Sequence, residues 1–188
     1  TVTWTTSNSS VATVSSAGLV TAVATGTATI TAESGSASAT ATVTVAAFLL
    51  AANGVTVTCS ATDVGKTGEV GGVTYTKRSY AQIDTLVYTK DYASVATTCT
   101  SDITDMSRMF DGAADSTTAF NHDIGSWDVS SVTDMSNMFY EARGFNQDIS
   151  SWDVSSVTIM GDMFSGAEAF NQNLSGWCVS GISSEPAN

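Results

Sequence analysis

Apolar and polar residues alternate at period two over residues 27–32 (TATITA) and 39–45 (ATATVTV), with Thr set against Ala, Val or Ile. That alternation predicts half-buried strands. Glu33–Ser38 lies between them, and its Gly35 and three serines suit a hairpin turn. Upstream, Val2, Trp4, Val11, Val14, Leu19 and Val20 supply further inward positions, with Gly18 marking another turn. Residues 1–47 therefore read as short strands and small turns. Further along the pattern changes. Ile149, Trp152 and Val154 lie on a short extended piece, and Val157, Met160, Met163, Phe164 and Ala167 follow at spacings of three and four. The second set predicts one face of a helical turn or two.

This second pattern repeats. Phe120, Phe145 and Phe170 are 25 residues apart, as are Trp127, Trp152 and Trp177. A more divergent copy, CTSDITDMSRMF (99–110), precedes them, followed by an insertion within DGAADSTTAF (111–120). A period of this length implies a solenoid, in which stacking of neighbouring units closes a core that none could bury alone. The Trp and Phe residues then form columns, and so do Met106, Met135 and Met160 beside Phe110, Phe139 and Phe164. Asn121, Asn146 and Asn171 form a polar column suited to pairing loop backbone between coils. Between the two patterns, Gly71–Gly72 separates Glu69–Val70 from Val73–Thr76 as a two-residue hairpin turn. Ser79 can cap a short helix whose buried side carries Ile83, Leu86 and Val87.

Charge supports the same division. Residues 1–47 carry only Glu33, whereas residues 109–188 carry eleven acids against Arg143. The whole chain has a net charge of −12, which argues against a phosphate-binding surface and hence against a nucleic-acid partner. With 29 threonines and 27 serines, its surface is polar but mostly uncharged. The apolar run 43–52 is too short to span a bilayer. Lys66, Lys77, Arg78 and Lys90 gather in the middle segment, where they could meet the acidic end of another copy. The abrupt opening within a strand pattern reads as a piece of something longer.

Residues 1–45, with Trp4, SNSSVATV and GLVTAVATGTATI, resemble the bacterial immunoglobulin-like domain of group 2. The resemblance implies a β-sandwich. Members usually have strands before the Trp, so the sandwich is expected to be partial, with an open edge able to take a neighbour's strand. Residues 53–188, in which FNQDISSWDVSSVT recurs with few changes, resemble the 25-residue repeats of BspA-like, leucine-rich-repeat-related surface proteins. Residues 53–76 are similar to the cysteine-containing cap before such repeats. The expected fold is mainly β with short helices: a partial immunoglobulin-like sandwich (1–47), a cap (48–98) and an α/β, leucine-rich-repeat-like solenoid (99–188). The implied role is non-enzymatic extracellular display or adhesion at a cell surface, through a protein or glycan ligand. The alternative is a structural decoration or fibre protein of a phage or other large assembly, with neighbouring subunits as partners.

The candidate chemistry is sparse. Cys59 in the cap and Cys99 at the head of the first repeat can form a bridge, the other reading being free buried thiols. Cys178 is left over, its partner expected beyond Asn188. His122 stands where its sister repeats have Gln147 and Gln172, so a catalytic role is not expected. Asp123 and Asp148 share one column, and Asp128 and Asp153 another. Calcium bridging between coils is one reading of them, and turn chemistry within each coil, as Asp followed by Ser suggests, is the favoured one. No cofactor and no catalytic set is expected.

Overall fold

In the computed structural model, which describes residues 1–60, 62–112 and 119–182, the two alternating segments pair as a long hairpin. The chain divides into two units, Thr1–Ala47 and Phe48–Asn188. In the first, β1 (Thr3–Thr6), β4 (Gly26–Ser34) and β5 (Ala37–Val45) form a sheet in the order β1-β4-β5, and β2 (Ala12–Val14) pairs with β3 (Val20–Ala22). The hairpin turn is tighter than expected, because Ser34 already pairs with Ala37 and only Gly35 and Ser36 lie between. Thr27, Thr29 and Thr31 face Thr44, Thr42 and Thr40 across the hairpin. Ala28 and Ile30, between those threonines, are buried, and Val11 and Ala12 join this small core. Gly18, at φ +84°, lies so close beneath the Trp4 ring that a Cβ there would sit 2.8 Å from it. This explains why a glycine stands at that turn.

The small core corrects part of the sequence expectation. Leu19 (69% exposed), Val2 and Val20 point to water rather than inward. The β2–β3 pair is only three residues long, and Val20 within it and Leu19 just before it stay exposed.

In the second unit, β6 (Leu49–Leu50) pairs with β7 (Val57–Thr58), and β8 (Thr67–Val70) forms a hairpin with β9 (Val73–Lys77). Gly71 and Gly72 both have positive φ, as a two-residue hairpin of this hand requires. Helix α1 (Tyr80–Tyr88) starts at Ser79, whose N–H donates to the Gln82 side chain, and ends before Lys90 in the left-handed region. Ile83 is fully buried, and Leu86 and Val87 pack partly buried against the core. Helix α2 (Tyr92–Ala96) follows, with the Asp91 side chain accepting from Ser94 N–H. Strand β10 (Thr98–Cys99) then adds parallel to β9. Cys59 and Cys99 form a disulfide, tying the segment before the repeats to the first coil.

From Cys99 on, the described coils lie on one another through hydrogen bonds that reach one residue short of the equivalent position. N–H groups of Met135, Asn137, Phe139 and Glu141 donate to the carbonyls of Ile159, Gly161, Met163 and Ser165. Those of Met106, Arg108, Phe110 and Gly112 reach Asp134, Ser136, Met138 and Tyr140 in the same way. Parallel bridges join Asp105 to Asp134 and Asp134 to Ile159. Here the expected helical turn over Val157–Ala167 is replaced by successive tight turns. Alternate N–H groups bond three residues back, as Met138 does to Met135, while the others reach the next coil. Arg108, Asn137 and Asp162 adopt positive φ in this stretch, which a helix excludes. The expected extended piece Ile149–Val154 likewise forms no strand, and the helices among the described residues both precede the repeats. The insertion at 113–118 lies outside the described residues.

Trp152, 3% exposed, sits in the middle of its column. Trp152→Ala is expected to lower the unfolding free energy by about 3–5 kcal/mol, whereas Ile159→Ala at an exposed position changes it by less than about 0.5 kcal/mol. Urea titration measures both. Reducing the disulfide should add the mass of two hydrogens and cost about 4 kcal/mol for its 40-residue separation, read by intact mass and by the same titration.

Candidate functional site

The columns account for most large side chains of the repeats. The Trp127, Trp152 and Trp177 rings lie parallel within 6°, with centroids 6.4 Å apart at each step. Each indole N–H donates to a backbone carbonyl of the layer before it: Trp127 to Val95, Trp152 to Ile124 and Trp177 to Ile149. The polar edge of the indole is thus satisfied in the core, as burial demands. Phe120, Phe145 and Phe170 stack at 5.9 and 5.8 Å. Within each coil one of them also stacks on the second Phe column, Phe145 on Phe139 at 4.1 Å and Phe170 on Phe164 at 4.3 Å. Met106, Met109, Met135, Met138 and Met163 are buried among these rings.

The asparagines stand at the edge of this core. Asn121 Oδ1 accepts from the backbone N–H of Asn146, and Asn146 Oδ1 from that of Asn171, at 2.9 and 3.0 Å. Gln147 and Gln172 complete the ladder, each donating its side-chain amide to both oxygens of the preceding asparagine. The sequence pattern shows these glutamines at fixed spacing, but their role needs the register. In the first full repeat His122 stands at that position, and its ring lies against Tyr92 and Phe120.

Each aspartate of the two columns serves its own turn. Asp123 accepts from Gly125 N–H, Asp148 from Ser150, and Asp153 from Ser155. Asp128 is buried and accepts from the Ser130 N–H and hydroxyl and from the Ser101 hydroxyl. Ser101 in turn accepts from Cys59 N–H, so one hydroxyl joins the disulfide region to the second coil. Among the described residues, no three His, Cys, Asp or Glu side chains gather closely enough to hold a metal ion. Cys178 is exposed.

Two basic residues are not where their charge suggested. Lys77 is buried, pairs with Asp102 and donates to the Cys59 and Ser60 carbonyls. Arg78 is half-buried and donates to Ser94 O and Thr98 Oγ1. Both make hydrogen bonds within the fold. Burial lowers the Arg78 guanidinium from its ordinary value. Burial, and after it the neighbouring Asp84 and Asp105, raises the Tyr80 phenol, whose hydroxyl donates to Ser107 O. Beside these residues lies a cavity of about 520 Å³, walled by the end of β9, the start of α1 and the first coil. No signal in the sequence pointed to it.

Hydrogen bonds from Ser150 hold the Asp148 carboxyl below the usual carboxylate range, and those from Ser155 do the same for Asp153. A lowered folded pKa contributes stability that is present above the unfolded value and is lost as pH falls through the folded one. Thermal stability should therefore drop below about pH 4. The double variant Asp148→Asn/Asp153→Asn, which keeps the turn acceptors as Asn173 does naturally toward Ser175, should show a shallower drop in a melting series across that range.

Residues 1–45 match the family model described as bacterial Ig-like domain (group 2). Neither a curated protein nor a solved structure matches the chain. Residues 82–186, more than half of the chain, match the model described as Mycoplasma protein of unknown function, DUF285. The in-register coils, with their Trp, Phe and Asn columns, lie within that match, and the chain belongs to the DUF285 family.

Proposed function

We propose that this chain is a non-enzymatic extracellular display or adhesion module, in which a partial immunoglobulin-like sandwich precedes a capped solenoid of the BspA-like, leucine-rich-repeat-related type. The supporting observation is how the side chains are divided. The aromatic and Met columns are consumed inside the stack, so contact with a ligand falls to outward Ser, Thr, Asp and Asn groups. The disulfide suits an oxidising, extracellular setting. No helix among the described residues is long and apolar enough to cross a membrane. The reading requires no cofactor and no nucleic acid.

One observation favours the alternative of a structural subunit in a virion or other large assembly. β5 lies at the edge of its sheet over nine residues, and β5 carries no charge and no proline. An edge of that kind accepts a neighbour's strand.

The test applies the purified chain to immobilised extracellular-matrix proteins and to a glycan array, with polysaccharide breakdown assayed alongside. Saturable binding without breakdown is expected. Release of reducing sugar would overturn the non-enzymatic reading. Absence of binding, with many regular copies recovered on purified particles, would replace adhesion by the structural role.

A further inference from the structure

The cavity beside the first coil is unassigned, and its walls point to a ligand class. Its volume of about 520 Å³ falls within the roughly 300–1,000 Å³ typical of small-molecule sites. Charge comes first. Lys77 is neutralised by Asp102 at 2.5 Å, and of the other ionised groups lining the cavity, Arg78 and Asp105 have opposite signs. The walls therefore have no net sign with which to select an anion or a cation. Hydrogen-bonding capacity comes next. Ser79 and Thr104 contribute hydroxyls. Asp105 uses Oδ1 for the Ser107 N–H of its own turn, leaving a second carboxylate oxygen to accept. Apolar surface comes from Val64, Ile103 and the Tyr80 ring.

Hydroxyl donors and acceptors, a carboxylate oxygen and an aromatic ring around a small uncharged space suit a molecule with one face of C–H groups and a rim of hydroxyls. We propose that this cavity binds a neutral saccharide of one or two sugar rings. Asp105 and Thr104 contact its hydroxyls, and Tyr80 and Ile103 its C–H face. The proposal deepens the adhesion reading by naming a ligand class and a place for it. The rigidity of the walls supports it: β9 is tied to the first coil by its parallel pairing with β10 and by the Lys77–Asp102 pair.

The experiment titrates the full chain with glucose, galactose, mannose, N-acetylglucosamine and their β1–4 and α1–4 dimers, by calorimetry and ligand-observed NMR. Three variants are compared with the parent. Asp105→Asn keeps the turn acceptor and Thr104→Val keeps the side-chain shape, so both should fold, as checked by an intact disulfide and an unchanged melting temperature. Val64→Trp, at an exposed position, obstructs the cavity without touching the core. Binding of at least one sugar is expected, weakened about tenfold or more by Asp105→Asn, weakened by Thr104→Val and abolished by Val64→Trp. If no sugar binds at millimolar concentration, or if binding is indifferent to all three variants, the proposal is overturned. Adhesion that persists in excess free sugar would leave the adhesion reading standing while removing the cavity from it.

Discussion

A 25-residue coil without regular secondary structure must pair its backbone amides with something, and between residues 104 and 171 much of that pairing is with the neighbouring coil. Alternate N–H groups in the Met–Phe stretch close turns at home, and the rest reach across. Each cross-coil bond contributes only about 0.5–1.5 kcal/mol net, yet an unpaired amide in that core would cost more. The equivalent residues must therefore sit opposite one another, and every other feature of the repeats follows from that register. It brings indole over indole with a carbonyl beneath each N–H, and it lets one asparagine serve both the backbone and the glutamine of the next coil. Stability should be distributed as nearest-neighbour increments along the stack, with the first coil anchored through β9, β10 and the disulfide.

The same constraint decides what is left for function. Large apolar side chains and buried amides are committed between coils, so variation is tolerated at outward positions and at the interruptions. One such interruption is the junction of β9, α1 and the first coil. There the repeat pattern has not yet begun, and a buried lysine, a half-buried arginine and a tyrosine take the place of the columns.

How far the fold could be read from the sequence follows from which interactions have a short period. The Trp and Phe columns were visible because stacking needs the same residue every 25 positions, and the Gly71–Gly72 turn and the Ser79 helix start because local backbone geometry selects those residues. The stretch Val157–Ala167 has the spacing of a helix without being one, for a physical reason. Consecutive turns with bonds three residues back place apolar side chains at the same spacings of three and four as a helix. The distinguishing signal lies in Asn137 and Asp162, polar residues that tolerate the positive φ they adopt. For Leu19 and Val20, periodicity reports an inward face without showing what covers it. Lys77 and Asp102 meet because β9 and β10 pair in parallel, and no local pattern encodes such a meeting.

Site-resolved amide hydrogen exchange on the folded chain tests the register most directly. The amides of Met135, Asn137 and Phe139, which have no helical partner, should exchange slowly and together, at the rate set by global opening of the repeats. Rapid, independent exchange at these three positions would mean that the coils do not lie on one another through their backbones, and would contradict the account.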